Sequence, residues 1–587
     1  RRDAIVAEVR EVADTLLGET PHPMGGVGVI YSGLNVLTQQ DFGLFISLGY
    51  FIMFTALGWI FRSWRLLAAA ILVITIGTIV SLGIYGLLGH RLNMVTVVLP
   101  LLVIVLGTAD AVHFPAAFAR SRDPREALRH TIAPCALTTL TTMAGFLALC
   151  SAPMAVIRHL GLYAAIGIGA AFVACLVLFP IAFMALARRR PLSNGSQEEA
   201  RGLGRLKPIR DLLEHRRPLL WSVSAVLVAL AIFGALRVEN DTFTLGYLPD
   251  EHPVVTDHRA LEAGWGLYTP LEFTVTPAAD RQVNDPAVLA ATERFVAQAS
   301  ELDAIRNGFG LFTIYRRMAE VFGIAPDEQL EPNQWAQLGE LLLNQRLEWD
   351  RSAPGYAENF LAPLVTRDWE LGRVTLVGQM VSAGTLDGLL GELDRIAVEA
   401  MGDLGSLEPS GYPPLYVSII DYVMSSQIRS FFLAIGLIFV LMLVFFRSLR
   451  FAAISLVPNI FPVLVMMGVM GVLGITLDIA TATVGAIVIG IAIDDTVHFL
   501  YAWRQAEKRG AGWSDCVEET FAGAGRAATI TTVLLVLGFP ILMLASVKTV
   551  VCFGLLTTVS AIAALYGDLI LLPLLLRLGK PAKAPGL

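Results

Sequence analysis

The chain has 587 residues, 55% of them hydrophobic and only 16% charged, and its mean hydropathy is +0.64. This composition excludes an ordinary soluble globular protein and indicates a polytopic α-helical membrane protein. The formal net charge of −7 gives no reason to expect a nucleic-acid partner, and we predict none.

Eleven apolar segments are long enough to cross a hydrocarbon core about 30 Å thick. Five form a first block of membrane helices at 42–187, and five form a second block at 429–577. The eleventh, 218–236, leads into the second half and has no counterpart upstream. The duplicated plan therefore predicts twelve helices, the first of them ahead of residue 1, and 1–41 is interpreted as the C-terminal remnant of a first periplasmic domain. The segments are 42–60, 66–88, 94–114, 131–152, 160–187, 218–236, 429–446, 451–473, 478–500, 524–546 and 549–577.

Positive charge distinguishes the two sides of the membrane. Lys and Arg cluster in alternate connections, which all lie on one side if every segment spans, and the positive-inside rule assigns that side to the cytoplasm. The basic linker 188–217, with a short interfacial helix predicted at 205–215, and the tail 578–587 are then cytoplasmic. Residues 237–428 then lie outside, and we predict a bacterial inner-membrane protein in which this segment is the second periplasmic porter domain.

The outer segment 237–428 alternates patterns typical of strands and helices. Strands are predicted at 271–277, 373–381 and 413–420, and helices at 285–302 and 384–401. Two β-α-β units of this kind predict a split, ferredoxin-like α+β domain. The stretch between the two units, 303–370, is expected to be a helical insertion.

The five cysteines, at positions 135, 150, 175, 516 and 552, lie in apolar segments or in a cytoplasmic connection. None lies in the outer domain, so no disulfide is expected there. No spacing of Cys and His indicates a metal site, and we predict neither a metal nor a cofactor.

One acidic motif inside an apolar helix occurs twice, as LGTADAVHF at 106–114 and as IAIDDTVHF at 491–499. The offset of 385 residues between them places Asp495 on Asp110 and His498 on His113, and it places FRSLR on FRSWR near the start of each half. After the next connection the offset becomes 393, which matches Thr531 and Thr532 with Thr138 and Thr139. Two halves with a carboxylate in the membrane indicate an ion-coupled transporter.

The carboxyls are predicted near the middle of the membrane. Asp110 lies ten residues before Arg120 and Asp494 lies ten residues before Arg504, which is about 15 Å of helix. An ionised Asp at this depth costs at least ~2.5–3.5 kcal/mol, and neither helix supplies a Lys or Arg to neutralise it. A carboxyl in this setting can exchange a proton when its surroundings change, as a proton-driven antiporter requires.

The candidate proton-relay residues are Asp110, Asp494, Asp495, His113 and His498, since each His shares a helix face with an Asp three or four positions earlier. Asp494 and Asp495 point about 100° apart, so one is expected to face the opposite repeat and the other a neighbouring helix.

Four hydroxyls on the helices after the motifs are candidates for relay support: Thr138, Thr139, Thr531 and Thr532. They also fit packing residues bonded to their own backbone, just as the acids fit plain helix braces. Asp568 lies nine residues before Arg577, and it is expected to anchor near the cytoplasmic surface.

The chain resembles the RND (resistance–nodulation–division) superfamily, specifically its MmpL-like branch of predicted exporters. The resemblance is carried by the duplicated plan, by GIAIDD at 490–495, which fits the family's GxxxDD element, and by the opening of the outer domain at 241–253. It implies an RND-type two-fold repeat of membrane helices with a porter domain outside, and acidic motifs that relay protons. Two features depart from relatives: a single acid in 107–110, and no Lys in 478–500 to pair with the aspartates.

We predict a proton-motive-force-driven exporter of hydrophobic or amphiphilic molecules, with lipids favoured because MmpL-type relatives are often lipid exporters. We do not predict an enzyme, because the motifs of an intramembrane aspartyl protease are absent from the sequence. Two alternatives stay open: a sterol-sensing-type lipid receptor that does not pump, and a SecDF-like translocation accessory. A homo-oligomer, a periplasmic partner and sodium coupling also stay open.

Overall fold

The structure is a computed structural model that describes residues 2–121, 124–187, 207–325, 328, 330–352 and 361–578, with side chains described except at 116–130, 185–187 and 344–352. Eleven helices in these residues are long and apolar enough to cross a membrane, which agrees with the eleven predicted segments. The chain divides into two compact units. The α+β unit comprises Arg1–Ser32, Asp241–Gly246 and Asp250–Asp421, and the helical unit comprises Gly33–Asn240, Tyr247–Pro249 and Tyr422–Leu587.

The described helices before residue 300 are α1 (Arg2–Leu17), α2 (Val27–Phe61), α3 (Trp64–Leu87), α4 (Leu99–Ser121), α5 (Pro124–Ala148), α6 (Ala155–Ala187), α7 (207–215), α8 (Arg217–Ala235), α9 (Pro253–Trp265) and α10 (Pro286–Ala299). Those after it are α11 (Leu311–Val321), α12 (Pro332–Ser352), α13 (Ala383–Met401), α14 (Tyr412–Phe446), α15 (Leu449–Leu473), α16 (Ile479–Lys508), α17 (Trp513–Thr520), α18 (Arg526–Gly538), α19 (Lys548–Tyr566) and α20 (Leu572–Leu578). Residues 188–206 of the predicted linker and 579–587 of the tail lie outside the described residues. Helix α7 falls within the helix expected at 205–215.

The sequence repeat is visible in the backbone. Helices α2 and α14 are both 35 residues long and begin 385 positions apart, at Val27 and Tyr412. Each is followed by an arginine in the left-handed region, Arg62 at φ 48° and Arg447 at φ 47°, a conformation that residues with a side chain rarely adopt. The same tight turn therefore joins the first two helices of both blocks.

The two motif helices are the most enclosed of the candidate spans. In an apolar stretch of 18 residues in each helix, 94% of the residues are buried in α16 and 83% in α4. A helix that is apolar on all sides and covered by neighbours is a core helix. Helix α16 begins where the Asp478 carboxylate caps the backbone N–H groups of Ala480 and Thr481, at 2.9 and 2.7 Å. Burial of both helices places the two motifs inside the helical unit.

A glycine pair lets the repeats approach closely beside the motif. A Cβ added to Gly145 on α5 would lie 2.8 Å from the Cα of Gly490 on α16. Next to this contact, Thr142 Oγ1 donates to the carbonyl of Gly490 at 2.9 Å. Small residues allow such backbone contact between membrane helices. The contact joins the first repeat to the residue that opens GIAIDD.

The α+β unit contains a four-stranded sheet with the order β2-β3-β1-β4, in which all neighbours are antiparallel. The strands are β1 (Thr269–Pro277), β2 (Ile305–Phe309), β3 (Gly372–Gly378) and β4 (Gly405–Ser410). Helix α10 connects β1 to β2 and α13 connects β3 to β4, which is the split β-α-β arrangement expected from the sequence. Phe273, Phe295, Leu376 and Leu393 are buried in its core.

Two details of this domain differ from the prediction. The strand predicted at 413–420 is wrong, since helix α14 begins at Tyr412, with Pro413 and Pro414 tolerated in its first turn. No further proline interrupts the helix before it ends at Phe446. The fourth strand is β4, an edge strand whose pairing with β1 compensates for a sequence of low strand propensity. Strand β2 lies inside the predicted insertion 303–370, followed by α11 and α12.

Candidate functional site

Asp110 is held by a threonine on the next helix. Its carboxyl, half-buried on α4, accepts a hydrogen bond at 3.1 Å from Thr139 Oγ1 on α5. The neighbouring Thr138 donates to the carbonyl of Cys135 and lies beside the carboxyl of Asp494, from the other repeat. The two predicted threonines of this half therefore contact different acids.

Asp495 is held in the same way in the second half. Both carboxyl oxygens lie near Thr531 Oγ1 on α18, at 2.9 and 3.1 Å, and the residue is only 8% exposed. The sequence offset paired Thr531 with Thr138, but the contacts relate Thr531 to Thr139. The hydroxyl that reaches the acid thus differs by one position between the repeats.

Each of these threonines has a second acceptor. Thr139 Oγ1 lies 2.8 Å from the carbonyl of Cys135, and Thr531 Oγ1 lies 3.0 Å from the carbonyl of Ala528. A hydroxyl has one hydrogen, so it donates either to the carboxylate or to the backbone. When the acid is protonated, the acid donates to the hydroxyl oxygen, and the hydroxyl donates to the backbone. Both protonation states are therefore hydrogen-bonded without movement of the helix.

The three acids share one cavity. It measures about 30 Å³ and is lined by Asp110, Asp494 and Asp495. Thr138, Thr139, Thr142 and Thr531 also line it, so both repeats contribute. A cavity of this size, with carboxyls and hydroxyls in its lining, has room for one or two waters, since each needs at least about 10–15 Å³.

A second cavity of about 10 Å³ continues the path from Asp495. Thr532, Thr557 and Ser560 line it together with Asp495. Asp495 therefore borders both of these cavities, and Thr532 lines the second one. A line of carboxyls, hydroxyls and water-sized spaces is an arrangement through which a proton can pass.

The two motif histidines contact each other across the repeats. The rings of His113 and His498 are stacked, with centroids 3.7 Å apart and planes 10° apart. His498 Nε2 lies 3.9 Å from Asp494 Oδ1, four residues earlier on the same helix. The sequence placed each histidine beside an aspartate, and it gave no sign that the two rings would meet.

Asp568 belongs to this region, and its predicted place near the cytoplasmic surface is wrong. It is 1% exposed and accepts a hydrogen bond at 2.5 Å from Thr496 Oγ1, the residue after Asp495. Asn459 Nδ2 donates to the same Thr496 hydroxyl at 3.2 Å. Asn459 was not singled out from the sequence. Its position as a polar residue inside an apolar segment was the signal that could have found it, because buried polar groups need partners.

Two family models match the chain, one on each repeat. The model described as the sterol-sensing domain of SREBP cleavage-activation matches residues 59–200, and the model described as Patched SSD matches residues 420–576. The separate matches coincide with the two blocks of membrane helices.

Full-length similarity is seen at the level of fold. The hedgehog release protein Disp from the water bear Hypsibius dujardini has a TM-score of 0.65 at 14% identity, covering 94% of this chain and 72% of that one. SecDF, a translocon-associated membrane protein from Thermus thermophilus, has a TM-score of 0.56 at 15% identity, covering 93% and 63%. The hopanoid transporter HpnN of Burkholderia multivorans is 25% identical over 211 residues, which is 34% of this chain and 23% of that protein.

The two family-model matches, the similarity to HpnN and the folds of Disp and SecDF all point to the RND superfamily. The chain's two-fold repeat of membrane helices and its split β-α-β domain are the fold expected from that resemblance. The eleven candidate spans and the similarity to membrane proteins make it a multi-pass membrane protein. The chain matches less than half of the length of each of three curated relatives: 23% of HpnN, and 43% and 11% of two others.

Proposed function

We propose that this RND protein is a proton-motive-force-driven exporter of hydrophobic or amphiphilic molecules. The observation that supports this most is the cavity shared by Asp110, Asp494 and Asp495, because it brings acids from both repeats to one small polar space. The protein needs no bound cofactor in this proposal, since protons are the coupling ion.

Protonation changes the balance between two packings of the repeats. Ionised carboxylates that share a small, poorly hydrated cavity repel one another, and each loses solvation. The carboxyls bind protons more tightly when the repeats pack so that the acids are close together. They release the protons when the repeats pack so that water reaches the carboxyls. A proton that enters from the periplasm and leaves to the cytoplasm thereby drives rocking of one repeat against the other.

The cargo that we propose is a lipid or a lipid-like amphiphile. Support comes from the relative named as a hopanoid transporter and from the match of both membrane blocks to sterol-sensing models. We place the protein in a bacterial inner membrane with the α+β domain in the periplasm, following the positive-inside rule. A homo-oligomer or a periplasmic partner protein is compatible with this placement.

The test compares wild type with Asp495→Asn in proteoliposomes under an imposed pH gradient, with an internal pH-sensitive dye. Asn keeps the size of Asp but cannot exchange a proton, so lipid-stimulated proton flux is expected to be lost. Asp421→Asn is the matched control, an exposed acid in α14 whose replacement leaves flux unchanged. Equal flux in wild type and Asp495→Asn contradicts the proposal, and flux driven by a sodium gradient alone assigns sodium as the coupling ion.

Two other functions are favoured by single observations. The sterol-sensing matches favour a lipid receptor, which binds sterol or hopanoid in the same liposomes but gives no proton flux in wild type. The fold of SecDF favours a translocation accessory, which gives proton flux that lipid does not stimulate. Flux that depends on both Asp495 and added lipid excludes both alternatives.

A further inference from the structure

Four side chains with metal-ligand chemistry meet where the two repeats contact each other. The ligand atoms of His113, Asp494 and His498 all lie within 4.8 Å of one another. Cys135 Sγ lies 3.8 Å from His498 Nε2 and is fully buried. His113 and Cys135 come from the first repeat, and the other two come from α16. Sequence spacing related Asp494 to His498 on one helix face, but it did not indicate the whole group, because His113 and Cys135 reach this pair only through packing of the two halves.

We propose that these residues bind one transition-metal ion, Zn²⁺ or a close relative, and that the bound ion ties the two repeats together. Two imidazoles, a carboxylate and a thiol make up the ligand types of zinc sites, whereas Na⁺, Mg²⁺ and Ca²⁺ are bound through oxygen. A tetrahedral site with bonds of about 2.0–2.3 Å has its donor atoms roughly 3.3–3.8 Å apart. The observed separations of 3.8 and 3.9 Å around His498 Nε2 are close to this range.

One carboxylate oxygen is available to bind such an ion. Asp494 Oδ1 is buried and makes no hydrogen bond within the part of the chain that the structure describes. A buried carboxylate oxygen without a donor is costly, and a bound cation would compensate for that cost. This oxygen faces His498 Nε2, so the carboxylate and one imidazole can share an ion after a small adjustment.

The histidine stack shows what must change when the ion binds. The lone pair of an imidazole nitrogen lies in the plane of the ring, and the rings of His113 and His498 are nearly parallel, 3.7 Å apart. One ion can accept both lone pairs only if the rings tilt toward each other. The stacked and the metal-bound arrangements therefore exclude each other, and the ion stabilises a packing of α4 against α16 that differs from the present one.

An ion bound to Asp494 prevents this carboxyl from exchanging a proton, so the bound ion inhibits proton-driven transport. This consequence rests on the proposed function. Binding itself does not rest on it. Binding is measured on the whole protein in nanodiscs, without any gradient. A failure of proton flux therefore leaves the binding result intact, and a failure of binding leaves the flux result intact.

The experiment titrates chelator-treated protein with Zn²⁺ in competition with a chromophoric chelator. One ion is expected per chain, and His113→Gln, His498→Gln and Asp494→Asn are each expected to weaken binding by at least about tenfold. The matched controls are His90→Gln and His159→Gln, since these two rings also lie 4.0 Å apart. Within the described residues no third ligand is grouped with that pair, so binding should be unchanged.

A second measurement tests the ligand types on the wild type itself, and a variant is used only to assign the sulfur. X-ray absorption of the Zn²⁺-loaded wild type should give nitrogen ligands at about 2.0–2.1 Å, with a sulfur near 2.3 Å that disappears in Cys135→Ser. Absence of stoichiometric binding to the wild type overturns the proposal. So does binding that survives in the His113→Gln, His498→Gln double variant, or a spectrum with oxygen ligands alone.

Discussion

Asp110 and Asp495 occupy equivalent positions in the two repeats, and each accepts a hydrogen bond from a threonine on the helix that follows the motif. The equivalence is incomplete. Asp110 is half-buried and borders one cavity, whereas Asp495 is 8% exposed, borders two cavities and precedes a residue that is bonded to Asp568. The second repeat thus holds the more enclosed acid, and the first repeat holds the more accessible one.

Removal of the Thr531 hydroxyl is expected to slow proton exchange at Asp495. Thr531→Val keeps the shape of the side chain but deprives the carboxylate of its donor, and a hydrogen bond to a charged group contributes about 1.5–3 kcal/mol. Proton flux in liposomes should fall by about tenfold or more, and Thr531→Ser should restore it. Thr529→Val is the control, because Thr529 on the same helix bonds its own backbone at Gly525. Equal losses in both valine variants would contradict the assignment.

Sequence reasoning found the parts of this site that repeat. Asp110 and Asp495 were predicted because the motif occurs twice with one offset, and the domain fold was predicted because β1, α10, β3 and α13 are long and patterned. Strands β2 and β4 were missed, since strands of five and six residues with Gly, Ser and Pro have weak patterns and are specified by their neighbours.

Contacts between the repeats were not predictable in the same way. The stack of His113 on His498 and the approach of Cys135 to His498 depend on how helices of the two repeats rotate against each other. The bond from Thr496 to Asp568, within the second repeat, depends in the same way on the packing of separate helices. A pattern along one helix does not specify that rotation. The usable signal in the sequence was a polar residue inside an apolar segment, because an acid that is buried must have partners elsewhere in the fold.

Asp568 is expected to be required for stability as a hydrogen-bond acceptor. Asp568→Leu leaves the hydroxyl of Thr496, which itself accepts a hydrogen bond from Asn459, without this acceptor, at a cost of about 1–3 kcal/mol. Asp568→Asn keeps an acceptor oxygen in place. The apparent unfolding temperature in detergent should fall by a few degrees in the Leu variant and stay near wild type in the Asn variant. An unchanged midpoint for Asp568→Leu would show that the bond adds nothing to stability.

The glycine contact between the repeats is expected to tolerate no added methyl group. In Gly145→Ala the new Cβ would lie 2.8 Å from the Cα of Gly490, so the helices α5 and α16 must separate, which costs about 1–3 kcal/mol. Gly83→Ala on α3 is the matched control, since nothing lies within 4 Å of its Cβ. Thermal stability and proton flux should both fall in Gly145→Ala only. Equal stability of the two variants would mean that the helices can move apart without cost.

The α+β domain contains a histidine whose protonation should loosen it. His258 on α9 is 6% exposed, and its Nδ1 lies 2.6 Å from the hydroxyl of Tyr268, while Nε2 lies 3.4 Å from Glu262. Burial lowers the pKa of His258 below 6.5 and outweighs the opposing effect of Glu262. Burial also raises the pKa of Tyr268 to about 12, so this phenol stays protonated throughout the neutral and acidic range.

Because the pKa of His258 is lower in the folded state than in the unfolded state, the unfolded chain binds more protons between the two values, and stability falls as the pH decreases below about 6.5. Amide hydrogen exchange in α9, corrected for its intrinsic pH dependence, should therefore be faster at pH 5.5 than at pH 7.5. His258→Gln should remove most of this difference, and His215→Gln, at an exposed position in α7, should leave it unchanged. Protection that is independent of pH in wild type would contradict the prediction, since a buried neutral imidazole must lose stability when it is forced to carry a charge.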